Sequence, residues 1–264
     1  MTQALESLVT CEVDAQGIAC LALNQPKSRN ALSLAMLQAL QTKLEQISRN
    51  PRVRVVILAA EGPVFCAGHD LKEMQAQQGD AEAHRRLFQR CSQVMQQITG
   101  LPQPVIAQVQ GVATAAGCQL VASCDLAVAA QTARFATPGV HIGLFCSTPM
   151  VALSRNVSPK HAMQMLLTGD MIGADDAFRM GLVNEVVADE ALANRVQALA
   201  QQLAGHSAAT LALGKKAFYA QQHKPLDQAY DLASETMVEN MGYADVKEGI
   251  DAFIAKRKPG WKDC

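Results

Sequence analysis

Three short, almost wholly apolar runs constrain this chain more than any other feature: Val55–Ala60, Leu126–Ala130 and Val105–Val109, the last broken only by Gln108. A strand packed on one face alternates apolar and polar residues. One that stays apolar throughout is covered on both faces, as in parallel sheets flanked by helices. Helical patterns lie between the runs. After Ser33, a residue suited to cap a helix, Leu34, Leu37, Leu40, Leu44 and Ile47 recur at helical spacing until Asn50-Pro51 stops them. A polar helix is expected over residues 81–98, ahead of Pro102 and Pro104. Two further strands, 8–13 and Ile18–Leu23, open the chain, and Asp14-Ala-Gln-Gly17 between them has the chemistry of a hairpin turn. Strand, turn and helix recur without a sequence repeat, which predicts an α/β fold.

Beyond Pro149 strand signals almost vanish. Helices are expected over 159–167, 175–180, 190–203, 208–222, Leu226–Met241 and 246–256, with one late strand at 183–187. No Ser/Gly-rich linker separates them from what precedes, so a helical layer should pack directly on the α/β core. The expected division is a core over residues 1–205 and a C-terminal helical region over 206–264.

Composition narrows the function classes. A formal net charge of −1 argues against nucleic acid or an anionic membrane as partner, since phosphate binding needs a surplus of Lys and Arg on some face. The apolar runs fall far short of the roughly 20 residues that span a bilayer. Met1-Thr-Gln-Ala-Leu-Glu has neither the basic region nor the apolar stretch of a secretory leader. Eight cysteines, at 11, 20, 66, 91, 118, 124, 146 and 264, form no C-x-x-C, so no metal or disulfide framework is expected. Those in apolar runs, such as Cys20 and Cys124, read as small buried hydrophobes.

Two segments place small residues just after a buried strand and just before a helix: Phe65-Cys-Ala-Gly-His-Asp-Leu-Lys-Glu73 and Gly111-Val-Ala-Thr-Ala-Ala-Gly-Cys-Gln119. Small residues let the backbone approach a ligand, and a helix N-terminus leaves N–H groups unpaired. Two converging N–H donors make an oxyanion hole for charge developing on a thioester oxygen. By themselves, such turns equally describe two tight strand–helix packings with no ligand.

Ordered matches along the chain add a resemblance. Asn24-Gln-Pro-Lys-Ser-Arg-Asn-Ala-Leu32, the two small-residue segments, Phe135-Ala-Thr-Pro138, Leu167-Thr-Gly-Asp170 and Glu248-Gly-Ile-Asp-Ala-Phe253 resemble the crotonase (enoyl-CoA hydratase/isomerase) superfamily. The resemblance implies a crotonase (ClpP-like) spiral of ββα turns with a C-terminal helical layer that assembles trimers or dimers of trimers. It implies an acyl-CoA thioester as ligand, with coenzyme A as part of the substrate and no separate cofactor. Oxyanion N–H groups fall at His69 and Ala116. The CoA nucleotide would lie along Lys27, Ser28 and Arg29 and along Asp70, Leu71 and Lys72, with Phe253 and Lys256 of a neighbouring helix or subunit closing over it. Lys27, Arg29 and Lys72 also fit ordinary solvated surface positions. The compartment implied is the cytoplasm for a bacterial source, or the mitochondrial matrix for a eukaryotic one with its transit peptide removed.

One departure from the family pattern decides the chemistry. Working hydratases carry two glutamates, one in the helix after the second segment and one after the Phe-x-x-Pro turn. Here those positions hold Gln119 and Gly139. Hydration needs one group to activate water and another to protonate carbon, and neither a carboxamide nor a hydrogen does this near neutral pH. Ordinary hydration is therefore expected to be weak or absent. His141, two residues past Gly139, shares its face in an extended segment and is a candidate substitute base; the alternative is a rim histidine bound to backbone. Asp70 and Asp125 read as turn and cap residues. Two functions fit: an enzyme of lyase or isomerase type that stabilises a thioester enolate, as in decarboxylation or retro-aldol cleavage, or a non-catalytic acyl-CoA-binding or regulatory protein of fatty-acid metabolism.

Overall fold

The computed structural model describes residues 7–264; the N-terminal stretch read above for a leader lies outside the described residues. In chain order the elements are β1 (Val9–Val13), β2 (Ile18–Leu23), α1 (Leu34–Ser48), β3 (Val55–Ala60), β4 (Val64–Cys66), α2 (Leu71–Ala76), α3 (Ala81–Gly100), β5 (Val105–Val109), β6 (Val112–Thr114) and α4 (Ala116–Ser123). There follow β7 (Leu126–Ala130), β8 (Arg134–Ala136), α5 (Ser147–Asn156), α6 (Pro159–Thr168), β9 (Ile172–Gly173), α7 (Ala174–Met180), β10 (Glu185–Val187), α8 (Leu192–Ala204), α9 (Ala208–Gln221), α10 (Leu226–Met241) and α11 (Ala244–Ile254).

The long strands build one sheet in the order β1-β2-β3-β5-β7-β10, parallel throughout except for the β1–β2 hairpin. Short strands build a second sheet, β4-β6-β8-β9, antiparallel only at β8–β9. Each turn of the spiral lays a long strand in the first sheet and a short one in the second, and then runs into a helix. The second sheet corrects the sequence reading, which treated residues 61–69 and 111–117 as loops. Strands of two or three residues are too short to display a period.

Strand β3 shows why the apolar runs are continuous. Val56 and Leu58 face the main core with Leu37, Leu40 and Val94, while Val55, Ile57 and Ala59 face Leu192, Val196 and Ala200 of α8. Full burial of each such Val, Ile or Leu contributes about 1.5–3 kcal/mol before conformational entropy is counted. Cys20 departs from expectation: it alternates with Ile18 and Ala22 yet is exposed, whereas Cys124 is buried.

Local signals set the helix ends. The Ser33 hydroxyl accepts from the Met36 N–H at 3.1 Å, and Glu73 of α2 accepts from the Leu34 N–H at 3.0 Å, so both small elements brace the start of α1. Helix α5 was not among the helices expected in the second half of the chain, which began at residue 159. Pro149 lies in its first turn, where the missing N–H has no partner to lose.

No residue of α9 or α10 is fully buried. Polar anchors hold α9 instead. Asp125 accepts from Lys215 Nζ at 2.7 Å, from the Tyr219 hydroxyl at 2.8 Å and from the Val105 N–H at 2.7 Å, and Lys215 also donates to the Ile98 and Gln103 carbonyls. Asp125 is thus no mere cap; it fastens the C-terminal helices to the core. Burial pushes the Lys215 pKa down against the opposing pull of Asp125, and pushes the Tyr219 phenol up. The tail folds back: Trp261 Nε1 donates to the Gly205 carbonyl at 2.7 Å, and Asp263 pairs with Arg54 at 2.5 Å. On the outside, Leu226, Tyr230, Met237, Val238, Ile250 and Phe253 stay exposed. Among the described residues no helix is long and apolar enough to cross a membrane, and no group of three His, Cys, Asp or Glu is placed to hold a metal.

Candidate active site

The two small-residue segments meet. Thr114 Oγ1 donates to the Ala67 carbonyl at 3.1 Å, joining the loop after β4 to the end of β6. A Cβ on Gly68, whose φ is +92°, would come within 2.9 Å of the Ala115 Cβ, so only glycine allows this approach. Gly117 does the same as the second residue of α4, where a Cβ would lie 2.1 Å from the Cys66 carbonyl oxygen. Ala115 itself has φ 51° and ψ −118°, a conformation a non-glycine residue adopts only when its surroundings enforce it. The residue after it, Ala116, begins α4, and its N–H is the first of that helix's orphan donors.

Beside the junction lies a cavity of about 410 Å³. Ala67, His69, Leu71 and Met74 form one wall, Ala115 and Ala116 the floor, and residues 138–149 much of the opposite side. Phe88 of α3 closes the end, its ring 5.4 Å from the His69 imidazole and nearly perpendicular to it. Among the described residues no Asp, Glu, Lys or Arg lines this space, and the ionisable side chains there are His69, His141 and Cys146.

His69, Ala116, Gly139, His141 and Leu71 are therefore brought together, and Gln119 is not. Gln119 is buried away from the cavity, its Oε1 facing the Cys91 thiol at 3.9 Å. Gly139 is closed off in a different way. A Cβ there would stand 2.6 Å from the Leu144 carbonyl oxygen and 2.9 Å from Cys146 Sγ, so the turn before α5 has moved into the place a larger side chain would need. The His141 ring is exposed on the rim, with Nε2 2.8 Å from the Thr168 carbonyl. His69 Nδ1 is 3.1 Å from the Leu32 carbonyl, and burial pushes its pKa below the ordinary 6.5. Burial drives the thiols of Cys66, Cys91 and Cys118 up to about 12 and raises that of Cys146, so none is poised as a nucleophile.

The loop carrying Lys27, Ser28 and Arg29 lies alongside, held by a buried side chain. Asn30 accepts from the Gln25 N–H and donates to the Glu61 and Val64 carbonyls, and the Ala67 N–H reaches the Arg29 carbonyl at 3.1 Å. Asp70 caps α2 through the N–H groups of Lys72 and Glu73, as its sequence context predicted. Lys27, Arg29 and Lys72 are exposed. Phe253, on the C-terminal helix, and Lys256, in the turn just after it, do not line the cavity. Sequence reading missed Phe88 and the 142–146 wall. Phe88 sits in a helix that looked polar, and beside that wall only Gly139 and His141 were read as site residues.

The sequence profile described as Enoyl-CoA hydratase/isomerase matches residues 14–264. The chain belongs to the enoyl-CoA hydratase/isomerase family. It is 49% identical over 256 residues to the rat protein "Enoyl-CoA hydratase domain-containing protein 3, mitochondrial", covering 97% of this chain and 85% of that one. A mitochondrial enoyl-CoA hydratase from Pongo abelii is 33% identical over 247 residues, covering 91% and 82%. Among solved structures, an enoyl-CoA hydratase of Mycobacterium smegmatis superposes with a TM-score of 0.94 at 50% identity, covering 96% of this chain and 98% of its own. Human enoyl-CoA hydratase domain-containing protein 3 superposes at 0.93 with 48% identity, covering 96% and 100%. Family membership makes this one of an enzyme family with a shared ββα spiral.

Proposed function

We propose that this protein binds an acyl-CoA thioester with the thioester oxygen between the N–H groups of His69 and Ala116. The acyl group enters the apolar cavity, and the CoA moiety lies along Lys27–Arg29 and Asp70–Lys72. Two backbone donors at a helix start favour an enolate over the neutral thioester, which is what decarboxylation or retro-aldol cleavage requires. Hydration requires carboxylates, and the observation that carries the reading is their absence: none lines the cavity, Gln119 faces Cys91, and Gly139 is overlaid by Leu144 and Cys146. Ordinary crotonyl-CoA hydration is then expected to fall by about 10²- to 10⁴-fold for each missing group. A second reading, acyl-CoA binding without turnover, rests on the same absence.

The test runs a panel of acyl-CoA thioesters in parallel through thermal denaturation and a mass-spectrometric screen for turnover. Binding raises the melting temperature with dose, because the ligand selects the folded state. No shift with any thioester refutes the site; a shift without turnover leaves the binding reading in place. The exposed apolar side chains of α10 and α11, from Leu226 to Phe253, are proposed to pack against further copies in a trimer or dimer of trimers. A clean monomer by light scattering at micromolar concentration refutes that. The rat and human relatives named above are mitochondrial or share that protein's name; the matrix is the corresponding reading for a eukaryotic source, the cytoplasm for a bacterial one.

A further inference from the structure

Two consecutive residues of the first loop, Arg29 and Asn30, have φ of 56° and 53°. Neither is glycine, so each occupies the left-handed region at a cost that its surroundings must offset. The Asn30 side chain supplies the offset. It is fully buried, and its three partners are all backbone groups. Oδ1 accepts from the Gln25 N–H at 2.8 Å, where the loop begins. Nδ2 donates to the Glu61 carbonyl at 2.9 Å and to the Val64 carbonyl at 2.8 Å, at the two ends of the turn that leads into β4. That turn packs on the loop, since a Cβ at Gly62 would come within 2.7 Å of the Pro26 Cβ.

The same loop then holds the chain onward to the candidate oxyanion donor. The Arg29 carbonyl accepts from the Ala67 N–H at 3.1 Å, and the Leu32 N–H donates to the Gly68 carbonyl at 2.7 Å. The Leu32 carbonyl lies 3.1 Å from His69 Nδ1. Residues 29–32 thus grip residues 61–69 at several points, and the His69 backbone takes its position from them. Lys27, Ser28 and Arg29 are exposed, whereas Asn30, the next residue, is buried. A ligand that fixes the exposed residues therefore fixes the buried one, and with it the segment ending at His69. Two sites at opposite ends of one hydrogen-bonded unit can be coupled energetically, and the coupling is reciprocal.

We propose that Asn30 is a positioning residue: it carries occupancy of the Lys27–Arg29 loop by the nucleotide end of CoA to the His69 N–H, so that a bound nucleotide strengthens that donor's hold on the thioester oxygen. This rests on the acyl-CoA reading of the preceding section, and the experiment separates the two. The ligand is supplied as two fragments, 3′-phosphoadenosine 5′-phosphate and S-butyryl-pantetheine labelled with ¹³C at the thioester carbonyl. Calorimetry measures thioester affinity with and without saturating nucleotide, and infrared difference spectra record the bound carbonyl stretch. Both are run on the wild-type chain, Asn30→Gly and Asn30→Asp. Glycine keeps the left-handed backbone and loses all three bonds; aspartate keeps the acceptor for Gln25 and loses both donations. In the wild type the nucleotide should raise thioester affinity about 5- to 20-fold and lower the carbonyl frequency. Both effects should vanish in Asn30→Gly and be largely lost in Asn30→Asp, while each fragment alone still binds. A role in stability alone would lower the melting temperature of the variants and leave the affinity ratio and the carbonyl band as in the wild type; that result overturns the assignment. So does a wild type whose thioester affinity ignores the nucleotide. Hydrogen exchange on the wild type keeps the test independent of how the variants fold. Nucleotide alone should slow exchange of the Leu32 and Ala67 amides, and unchanged rates there overturn the proposal as well. If either fragment fails to bind the wild type, it is the acyl-CoA reading that fails.

Discussion

Replacing Gly139 with alanine adds one methyl group at the place where the family's second carboxylate is missing. The methyl has nowhere to go. It would sit 2.6 Å from the Leu144 carbonyl oxygen, 2.9 Å from Cys146 Sγ and 3.3 Å from the Leu144 carbonyl carbon, each inside ordinary contact distance. Nor is the wall free to move, since the Leu144 N–H donates to the Gly139 carbonyl at 2.9 Å and the Gly139 N–H to the Cys146 thiol. Overpacking of this kind costs about 1–3 kcal/mol. For chains of roughly 150–250 residues, each kcal/mol lowers the melting point by about 2–4 °C, so calorimetry should find Gly139→Ala lower by about 2–12 °C. Fitting the methyl means breaking those hydrogen bonds to push the 144–146 wall aside, and affinity for butyryl-CoA should weaken with it. Gly139→Glu has the same clash plus a longer side chain, so it should destabilise further and gain no crotonyl-CoA hydration. A Gly139→Ala protein that melts within a degree of wild type with its cavity wall unmoved would refute the argument. So would a fully folded Gly139→Glu protein that hydrates crotonyl-CoA.

Three other substitutions test separate parts of the account. Gln119→Glu buries a carboxyl beside the Cys91 thiol; burial keeps it protonated, so a crotonyl-CoA assay should show no gain, and any clear gain would mean the side chain reaches the substrate. Lys215→Met strands Asp125 and the Ile98 and Gln103 carbonyls, and urea denaturation should show a loss of about 3–5 kcal/mol. Adding Asp125→Asn to that variant should recover part of the loss; strict additivity of the two would remove the ion pair from the explanation. For His69, the folded pKa lies below the unfolded 6.5, so the unfolded chain takes up the proton first as pH falls. Its contribution to stability is present above pH 6.5 and is lost as pH drops through the folded pKa. His69→Gln should flatten that part of the stability–pH curve, and an unchanged slope would place the acid sensitivity elsewhere.

The amino-acid sequence alone determined the layers that depend on local pattern. Ile18–Leu23, Val55–Ala60, Val105–Val109 and Leu126–Ala130 are strands with the bounds their largely apolar runs predict, because burial leaves a signature in composition. The cap at Ser33, the cap at Asp70 and the stop before Pro51 were legible for a similar reason: each satisfies a backbone group within a few residues. The pairing of the His69 and Ala116 loops was visible as two small-residue turns, and resemblance rather than pattern gave them a task. Tertiary structure alone decided what depends on partners distant in the chain. The second sheet consists of strands too short to carry a period, and they exist because neighbouring turns of the spiral lie beside them. Asp125 looked like a cap until Lys215, ninety positions away, arrived at 2.7 Å. Gln119 turned toward Cys91, and Phe88, from a helix that read as polar, turned toward His69. Whether Gly139 leaves an open space or a filled one was set by a turn that returns five residues later onto it. A sequence states which side chain is absent, but which atoms occupy the vacated volume is a matter of packing, because that volume is shared by segments with no common local pattern.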